Sequence, residues 1–350
     1  MNIWIDALTP KQALLAIFLA KHLEKCEYRT IVTVRDYDFT VPLARRYRQD
    51  IIVVGSYGGR EVESKLRADI ERIKKLLEIL DLSFDILIAY PNPSAARIAF
   101  GLGKPYIAIT DSPHSEIPSR LALPLAEAVI ASSCIPAKKI KSFMYARSRL
   151  LQFRGVDEVL WLREWSFNKQ ELQRFELRER EYLVLRPEEK YATYYAGKRI
   201  EKSIWLKIIQ WALRKDLKVI FIPRYEDQKR IVSQEYSNVI TVEAGGVDGP
   251  TLNRYALAVI TGGATMAREA SLLGTVGVSM FPGYIDVNEC VKSWGFPLFT
   301  GVTKSRKVLE ILEKTLRDPD AYLNMARQRL KELEAPDKVV IKAIEILRGK

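Results

Sequence analysis

The glycine-rich turn within residues 260–274, ITGGATMAREASLLG, has the clearest chemical potential in the chain. An apolar run before it, Ala256–Ile260, predicts a short strand. Gly262 and Gly263 allow a sharp turn with positive φ and bring backbone amides close to a bound group, and Thr265 can cap the following helix. Because the free amides and the dipole of a helix start favour anions, the turn predicts a phosphate site. A purely structural turn is the alternative, since glycine pairs before helices are common.

A second candidate site follows the strands in the first half of the chain. His114 lies in a loop shortly after Asp111, and a histidine near a carboxylate can act as a general base or bind phosphate. A histidine that stabilises its own loop explains the pattern equally well, and Asp111 can equally cap a turn. We predict His114 as the catalytic base, with Asp111 and Asp6 as the next candidates.

These residues need a sheet to position them, and the sequence predicts two sheets. Short apolar runs alternate with amphipathic helical patterns in both halves, which is typical of parallel βαβ units. The predicted strands lie at residues 2–6, 29–34, 51–54, 84–89, 106–110, 182–185, 218–222, 239–242, 256–260 and 276–280. We therefore predict an α/β protein with two Rossmann-like doubly wound domains.

The length of 350 residues exceeds what one hydrophobic core usually organises, so we expect two domains. The first domain is expected at residues 1–155 and the second at residues 181–330. Residues 156–180 are dense in both signs of charge and are interpreted as a linker. A C-terminal helix within residues 331–350 is expected to pack back on the first domain.

Helix starts place further polar residues at the ends of strands. Thr9, with Pro10 after it, predicts a helix N-cap, and Ser94 predicts another. Because open α/β sheets bind ligands at the carboxyl ends of their strands, we expect four residues to line the binding crevice of the first domain: Thr9, Lys11, Asn92 and Ser94. The helical pattern at 64–80 predicts a buried apolar face made of Leu66, Ile70, Ile73, Leu76, Leu77 and Leu80.

The net charge of +12 favours anionic partners. One basic cluster can meet anionic membrane headgroups, although a solvated face is the better interpretation: Lys138, Lys139, Lys141, Arg147, Arg149 and Arg154. No interleaved basic and aromatic motif supports nucleic-acid binding. No apolar run approaches the ~20 residues of a membrane span, so we expect a cytoplasmic protein, with peripheral membrane contact as an alternative. The cysteines have no zinc-ligand spacing, and we expect no metal.

Two such domains, with a glycine-rich turn late in the second, resemble the GT-B group of sugar-nucleotide enzymes. The resemblance implies a central cleft, with the nucleotide sugar bound by residues 181–330 and the acceptor by residues 1–155, so that the four crevice residues of the first domain would lie on the acceptor side. TGGATMAREASLLG resembles the nucleotide-binding turn of the inverting glycosyltransferases that build the lipid-linked peptidoglycan precursor, and it is similar to the corresponding turn of nonhydrolysing UDP-N-acetylglucosamine 2-epimerases. More specifically, MNIWIDALTPKQALL, VRDYD, NPSAARIAFGLGKPYIAITDSPHS, LRPEE and GGATMAREASLLGT together resemble a mainly archaeal domain-of-unknown-function family, numbered 354. The likeness spans nearly the whole chain.

The resemblance implies roles for residues around the turn. Those implied to lie against the diphosphate are Gly262, Gly263, Ala264 and Thr265. Glu269 would accept hydrogen bonds from the ribose hydroxyls, Arg224 would contact phosphate, and Gly246 and Val247 would lie near the base. Arg268 is expected to face solvent or to pair with an acid. The chain departs from its relatives at Leu257, where they usually have Asp, and at Ala264, where many have Thr.

The expected reaction is transfer of a sugar from a nucleoside-diphosphate sugar, most simply UDP-linked, to an unknown acceptor without a metal or other cofactor. Two alternatives remain open. A nonhydrolysing 2-epimerase would act on the same nucleotide sugar without an acceptor. A noncatalytic nucleotide or nucleic-acid binding protein would show affinity that falls steeply with salt. The oligomeric state is not predicted.

Overall fold

The computed structural model of the protein describes residues 1–59, 61–80, 83–188, 200–201 and 203–349. The chain forms two compact units. Unit 1 contains Met1–Trp161 and Leu333–Lys350, and unit 2 contains Leu162–Glu332. The stretch at 156–180, which we interpreted as a linker, is therefore divided between the two units.

Unit 1 is built on a seven-stranded sheet in the order β3-β2-β1-β4-β5-β6-β7, and all its strand pairs are parallel. The strands are β1 (Asn2–Ala7), β2 (Arg29–Asp36), β3 (Ile52–Ser56), β4 (Ile86–Ala89), β5 (Tyr106–Thr110), β6 (Ala128–Ser132) and β7 (Arg149–Phe153). The helices are α1 (Pro10–Lys25), α2 (Thr40–Tyr47), α3 (Val62–Ile79), α4 (Pro93–Gly101), α5 (Glu116–Ala122), α6 (Ala137–Lys141), α7 (Val159–Leu162) and α16 (Asp337–Arg348).

The strands of unit 1 form where the sequence is continuously apolar. Every residue of β4, β5 and β6 is buried, as expected for central strands that are covered by helices on both faces. α1 begins as predicted, since Thr9 is its N-cap and accepts a hydrogen bond from the Gln12 amide at 3.4 Å, with Pro10 next to it.

The basic cluster around α6 lies at the surface, so membrane contact stays a prediction.

The apolar face predicted for α3 is not buried in the described structure. Leu66 is 60% exposed and Ile70 is 56% exposed, and Leu77 is also on the surface. Leu76 and Leu80 are buried as predicted. The prediction of one continuous core face is therefore wrong for half of its length, because α3 contacts the sheet through a different side.

The C-terminal segment of the chain returns to unit 1. α16 packs against α1, β6 and β7 and buries Val340, Ala343 and Ile344. The Arg154 amide donates to Glu334 Oε2 at 2.6 Å. A side chain at Gly155 would lie 1.9 Å from the Glu334 carbonyl oxygen, so only glycine allows this close approach.

Unit 2 is built on a six-stranded parallel sheet in the order β10-β9-β8-β11-β12-β13. The strands are β8 (Tyr182–Arg186), β9 (Lys218–Phe221), β10 (Val239–Thr241), β11 (Ala258–Thr261), β12 (Val276–Ser279) and β13 (Leu298–Phe299). The helices are α8 (Gln170–Arg174), α9 (Ile204–Arg214), α10 (Glu226–Glu235), α11 (Gly249–Tyr255), α12 (Thr265–Leu272), α13 (Asp286–Ser293), α14 (Ser305–Arg317) and α15 (Leu323–Glu332). The predicted fold class, two Rossmann-like doubly wound units, is confirmed.

Each sheet reverses its strand order at one place. In unit 1 the reversal lies between β1 and β4, and in unit 2 it lies between β8 and β11. The crevice outside the carboxyl ends of the strands at such a reversal is where open α/β sheets bind ligands. The topology therefore points to the loops after these four strands. Among the described residues, no helix is both long and apolar enough to cross a bilayer.

Candidate functional site

The glycine turn of unit 2 follows β11 at the strand reversal, and it is held by its own hydrogen bonds. The Gly262 amide donates to the Arg186 carbonyl at 2.9 Å, and the Gly263 amide donates to Thr261 Oγ1 at 3.1 Å. Neither glycine has a positive φ, so that expectation is wrong. Gly262 is required for a different reason, because a Cβ there would lie 2.1 Å from the Glu188 Cα.

The helix start after the turn supplies the amide donors. α12 begins at Thr265, and the N-cap residue is Ala264, which has no side-chain cap. The prediction that Thr265 caps this helix is therefore wrong. Helix geometry leaves the amides of Thr265, Met266 and Ala267 without an acceptor inside the helix. These amides, rather than those of the glycines, are the donors that a phosphate at this end of the sheet can use.

Arg224 lies beside the same turn. It follows the end of β9, and its Nε donates to the Pro187 carbonyl at 2.9 Å. Its Nη2 lies 3.7 Å from the position that a Cβ on Gly263 would occupy. The strand ends of β8, β9 and β11 thus place a guanidinium next to the start of α12, as the resemblance implies.

Glu269 is buried one turn into α12. Glu269 is only 5% exposed, and its Oε2 accepts a hydrogen bond from Asn253 Nδ2 at 3.3 Å. Glu269 is therefore not an exposed charge on the helix surface. Arg268 is only 2% exposed and donates to Asn288 Oδ1 at 2.6 Å, so the expectation that it faces solvent is also wrong.

The two residues expected near the base differ in what they can contribute. Gly246 is exposed, and its carbonyl accepts from Arg174 Nη1 at 2.7 Å. The Val247 side chain is buried in the core with Leu252 and Val259. Val247 can therefore meet a ligand only through its backbone.

Lys11 is the centre of the charged cluster at the carboxyl edge of unit 1. Its Nζ donates to Asp111 Oδ2 and, at 2.8 Å, to Asp157 Oδ2, and it lies 3.8 Å from Glu158 Oε1. Nζ also lies 5.3 Å from the ring centroid of Tyr90, whose hydroxyl donates to Asp157 Oδ2. The start of α1 and the loops after β4, β5 and β7 therefore bring one ammonium and three carboxylates together. We call these five residues the lysine–carboxylate cluster.

Burial makes the lysine–carboxylate cluster chemically unusual. Burial has the largest effect on the Asp157 carboxyl and raises its pKa. The positive charge of Lys11 lowers this pKa, whereas the negative charges of Asp111 and Glu158 raise it, and the net shift is upward. Burial, followed by the charges of Asp111 and Asp157, also holds the pKa of Tyr90 well above its ordinary value. The buried Asp157 Oδ1 has no hydrogen-bond partner among the described residues. Asp157 therefore holds a proton more tightly than an ordinary aspartate, whereas Asp111 is ion-paired with Lys11.

Asp6 lies in a separate buried network that does not fit a catalytic base. Arg72 donates to both of its carboxylate oxygens, at 2.9 and 2.6 Å. Thr33 and Asn92 donate to the same carboxylate. Four donors occupy the acceptor sites that a carboxylate offers, so no site remains for a substrate hydroxyl. This contact pattern is the reason that we no longer assign Asp6 to catalysis.

The remaining predicted residues of unit 1 have mixed positions. Asn92 is the N-cap of α4, accepting from the Ala95 amide at 3.3 Å. Ser94 lies inside α4 and donates to Asp69 Oδ1 at 3.1 Å, so the prediction that it caps the helix is wrong. His114 is exposed in the turn before α5. Of the residues predicted in unit 1, the structure joins two pairs directly, Lys11 with Asp111 and Asn92 with Asp6.

The sequence interpretation missed Tyr90, Asp157 and Glu158 as site residues. A usable signal was present, because Asp157 follows the end of β7 just as Asp111 follows the end of β5. We interpreted that charged stretch as the start of a linker. Among the described residues, no three His, Cys, Asp or Glu side chains are arranged to hold a metal ion. The absence of a metal requirement stays a prediction.

A family model described as "Protein of unknown function (DUF354)" matches residues 1–345. The chain belongs to this family. An uncharacterised protein of Methanocaldococcus jannaschii, MJ0665, is 27% identical over 290 residues, which are 81% of this chain and 82% of that protein.

Solved structures of known enzymes share the fold of this family member. The UDP co-structure of S. aureus MnaA has a TM-score of 0.72 at 13% identity, covering 100% of this chain and 97% of that one. The M. jannaschii UDP-GlcNAc 2-epimerase in complex with UDP-GlcNAc and UDP has a TM-score of 0.68 at 14% identity, covering 95% and 99%. Spinosyn forosaminyltransferase SpnP has a TM-score of 0.63 at 14% identity, covering 99% of both chains. The GT-B fold class is thereby shown, and at these identities the likeness extends to the fold alone.

Proposed function

We propose that the protein transfers a hexosyl group from a nucleoside-diphosphate sugar, of the UDP type, to an acceptor, and that unit 2 binds the donor. The observation that carries this proposal is the meeting of three features after β11: the start of α12, the guanidinium of Arg224 and the buried carboxylate of Glu269. Amides and guanidinium would bind the diphosphate, and Glu269, one turn deeper, would accept from the ribose hydroxyls. Fold relatives solved with UDP and UDP-GlcNAc support a donor of this class.

The same groups suit the departure of the diphosphate. When the bond between the sugar C1 and the diphosphate oxygen breaks, negative charge grows on the leaving group. Arg224 and the first-turn amides of α12 can stabilise that charge without reorganising, so we propose a transfer that needs no tightly held metal.

Unit 1 would supply the acceptor side and the base. In the proposed step the acceptor hydroxyl gives its proton to the Asp111 carboxylate as its oxygen bonds to C1. Lys11 holds Asp111 in place, and it also contacts Asp157, whose pKa burial raises. His114 remains the alternative base, because it lies in the loop that follows Asp111.

A 2-epimerase is a second candidate, and the lysine–carboxylate cluster is the observation that favours it. Epimerisation moves a proton off and onto a sugar carbon, which requires both a base and an acid. Asp111 and Asp157, whose pKa burial raises, are two carboxyl groups that contact the same lysine in different environments, and such a pair can divide the roles of base and acid. Fold relatives that are UDP-GlcNAc 2-epimerases agree with this alternative.

Calorimetric titration of the full chain with UDP and a panel of nucleotide sugars tests the donor site. We expect saturable binding that weakens by about 10- to 100-fold in Glu269→Gln, because hydrogen bonds to a charged acceptor are lost. Glu310→Gln, at an exposed position of α14, should bind like the wild type. The absence of binding to every nucleotide, or equal affinity in both variants, would contradict the proposed donor site.

Product analysis separates the two reactions. The protein is incubated with a bound nucleotide sugar alone, and proton NMR follows the sugar. An epimer appearing without any acceptor identifies the epimerase, whereas a product that requires an added acceptor identifies the transferase. Comparison of Asp111→Asn with His114→Ala in the active assay then assigns the base, since only the variant at the true base loses turnover.

A further inference from the structure

Arg35 lies at the carboxyl edge of unit 1, on the strand next to β1. The pairing of β2 with β3 shifts register between Val34 and Asp36, so Arg35 lies at a bulge. Bulges near the ends of strands re-aim side chains and are frequent beside functional sites. The proposed function leaves Arg35 without a role.

Two tyrosine rings enclose the Arg35 guanidinium. Its Cζ lies 5.4 Å from the ring centroid of Tyr37 and 5.6 Å from that of Tyr57. The two rings are 4.8 Å apart with an interplanar angle of 55°. Tyr57 is 42% exposed, and Lys65 Nζ lies 6.0 Å from its centroid. Arginine stacked on aromatic rings keeps its in-plane N–H groups available for an acceptor.

The charge of Arg35 is not matched by a direct partner. Among the described residues no carboxylate forms an ion pair with it, and its only hydrogen bond runs from Nη2 to the Leu8 carbonyl at 3.2 Å. Its buried Nε has no acceptor there. Burial and the charge of Arg72 both lower the pKa of Arg35.

The nearby carboxylates are already engaged. Asp6 accepts hydrogen bonds from both terminal guanidinium nitrogens of Arg72. Asp69 Oδ1 accepts a hydrogen bond from the Ser94 hydroxyl at 3.1 Å. Arg72 and Arg35 thus lie at the same edge of one sheet, and only Arg72 has a matched carboxylate. A partly buried cation without a counter-charge is costly, and an anionic ligand would remove that cost.

We propose that Arg35, Tyr37 and Tyr57 form a binding subsite for the oxyanion group, phosphate or carboxylate, of a ring-bearing substrate. The planar guanidinium fork matches the geometry of such a group, and the exposed Tyr57 ring offers a stacking surface for the attached ring. The inference rests on the proposed function in one respect, that unit 1 receives the acceptor. If it does, the acceptor carries a phosphate or carboxylate group and is anionic.

Titration of the full chain with phenyl phosphate and with benzoate tests the subsite and distinguishes the two oxyanions. At least one of them should bind saturably to the wild type. Arg35→Met should weaken that binding by at least about tenfold, because a charge-assisted pair is lost. Tyr57→Ala should weaken phenyl phosphate by about threefold to tenfold and leave inorganic phosphate unchanged, because stacking is lost while the cation stays.

Arg67→Met is the matched control, since it removes the same charge from an exposed arginine of α3 that pairs with Glu63 at 2.6 Å. It should bind phenyl phosphate like the wild type. The inference is overturned if neither probe binds the wild type, if Arg35→Met binds equally well, or if Arg67→Met loses as much affinity. Tyr57→Ala alters an exposed side chain, so if it binds the probe that the wild type binds with unchanged affinity, the inference is overturned even if Arg35→Met does not fold. No nucleotide is present, so failure here and failure of the donor site are separate results.

Discussion

The two sheets share a topology but carry different chemistry at their carboxyl edges. In unit 1 the edge holds the lysine–carboxylate cluster, in which Lys11 faces three acids. In unit 2 the corresponding edge holds a tight glycine turn, a helix start and Arg224. The comparison teaches that the same strand reversal can carry different chemical groups, because the loops supply carboxylates and an ammonium in unit 1 but backbone amides and a guanidinium in unit 2.

The largest expected effect separates these two roles by kinetics. Asp111→Asn should lower kcat by about 10²- to 10⁴-fold with little change in donor affinity, because it removes the base and not the nucleotide site. Glu269→Gln should mainly weaken donor binding. Steady-state kinetics with calorimetric donor titration measures both quantities. If Asp111→Asn loses donor affinity and keeps its kcat, the assignment of proton transfer to unit 1 is wrong.

The second effect concerns stability in unit 1. Arg72→Met leaves the Asp6 carboxylate buried without its cation, so we expect a loss of about 3–5 kcal/mol in the free energy of unfolding. Urea unfolding followed by circular dichroism measures this loss. Arg67→Met, in the same helix but exposed, should change stability by less than about 0.5 kcal/mol. If both variants lose the same free energy of unfolding, the result contradicts the structural role assigned to the pair of Asp6 and Arg72.

The third effect concerns the turn in unit 2. Gly262→Ala should destabilise by about 1–3 kcal/mol, because the new Cβ would lie 2.1 Å from the Glu188 Cα. Gly263→Ala should be tolerated within about 0.5 kcal/mol, since nothing lies closer than 3.7 Å to its Cβ. Thermal unfolding of the pair measures the difference. Equal tolerance would mean that the turn is looser than described.

The smallest effect is a dependence on pH that should come from unit 1. Because the pKa of Asp157 is raised in the folded state, the folded protein holds a proton that the unfolded chain releases above the ordinary value of 3.8. This contribution to stability is complete at low pH and is lost as the pH rises through the raised pKa. Asp157→Asn should therefore flatten the decline in a series of urea unfolding curves at increasing pH. If the free energy of unfolding declines with pH in parallel in the wild type and in Asp157→Asn, the decline does not come from Asp157.

The sequence predicted the fold because the strands of both units are short apolar runs, and strand ends could be located within a few residues. It also placed Lys11 and Asp111 at the correct edge, since both follow predicted strands. It could not show that Arg72 reaches Asp6 across 66 positions, because that pairing depends on where α3 crosses the sheet. It likewise treated Asp157 as part of a linker, since a rise in charge is typical of linkers.

The face of α3 shows a different limit. Helical spacing predicts that Leu66 and Ile70 share a face with Leu77, but it does not say which side of the helix meets the sheet. Arg72 and Leu76 lie on the side that does, and the buried ion pair with Asp6 fixes that choice. In unit 2, the resemblance implied a role for Glu269 but not its burial, and the hydrogen bonds that occupy the glycine amides were not predictable from residue types.

The return of residues 333–349 to unit 1 also determines the order in which the units can be completed during translation. A ribosome releases the chain from its N-terminus, and domains generally fold as they emerge. Unit 2 is continuous in sequence, so all its strands have left the ribosome before α16 is made. The surface of α1, β6 and β7 that α16 covers therefore stays exposed to solvent until α16 has been made. The unit that begins first is finished last.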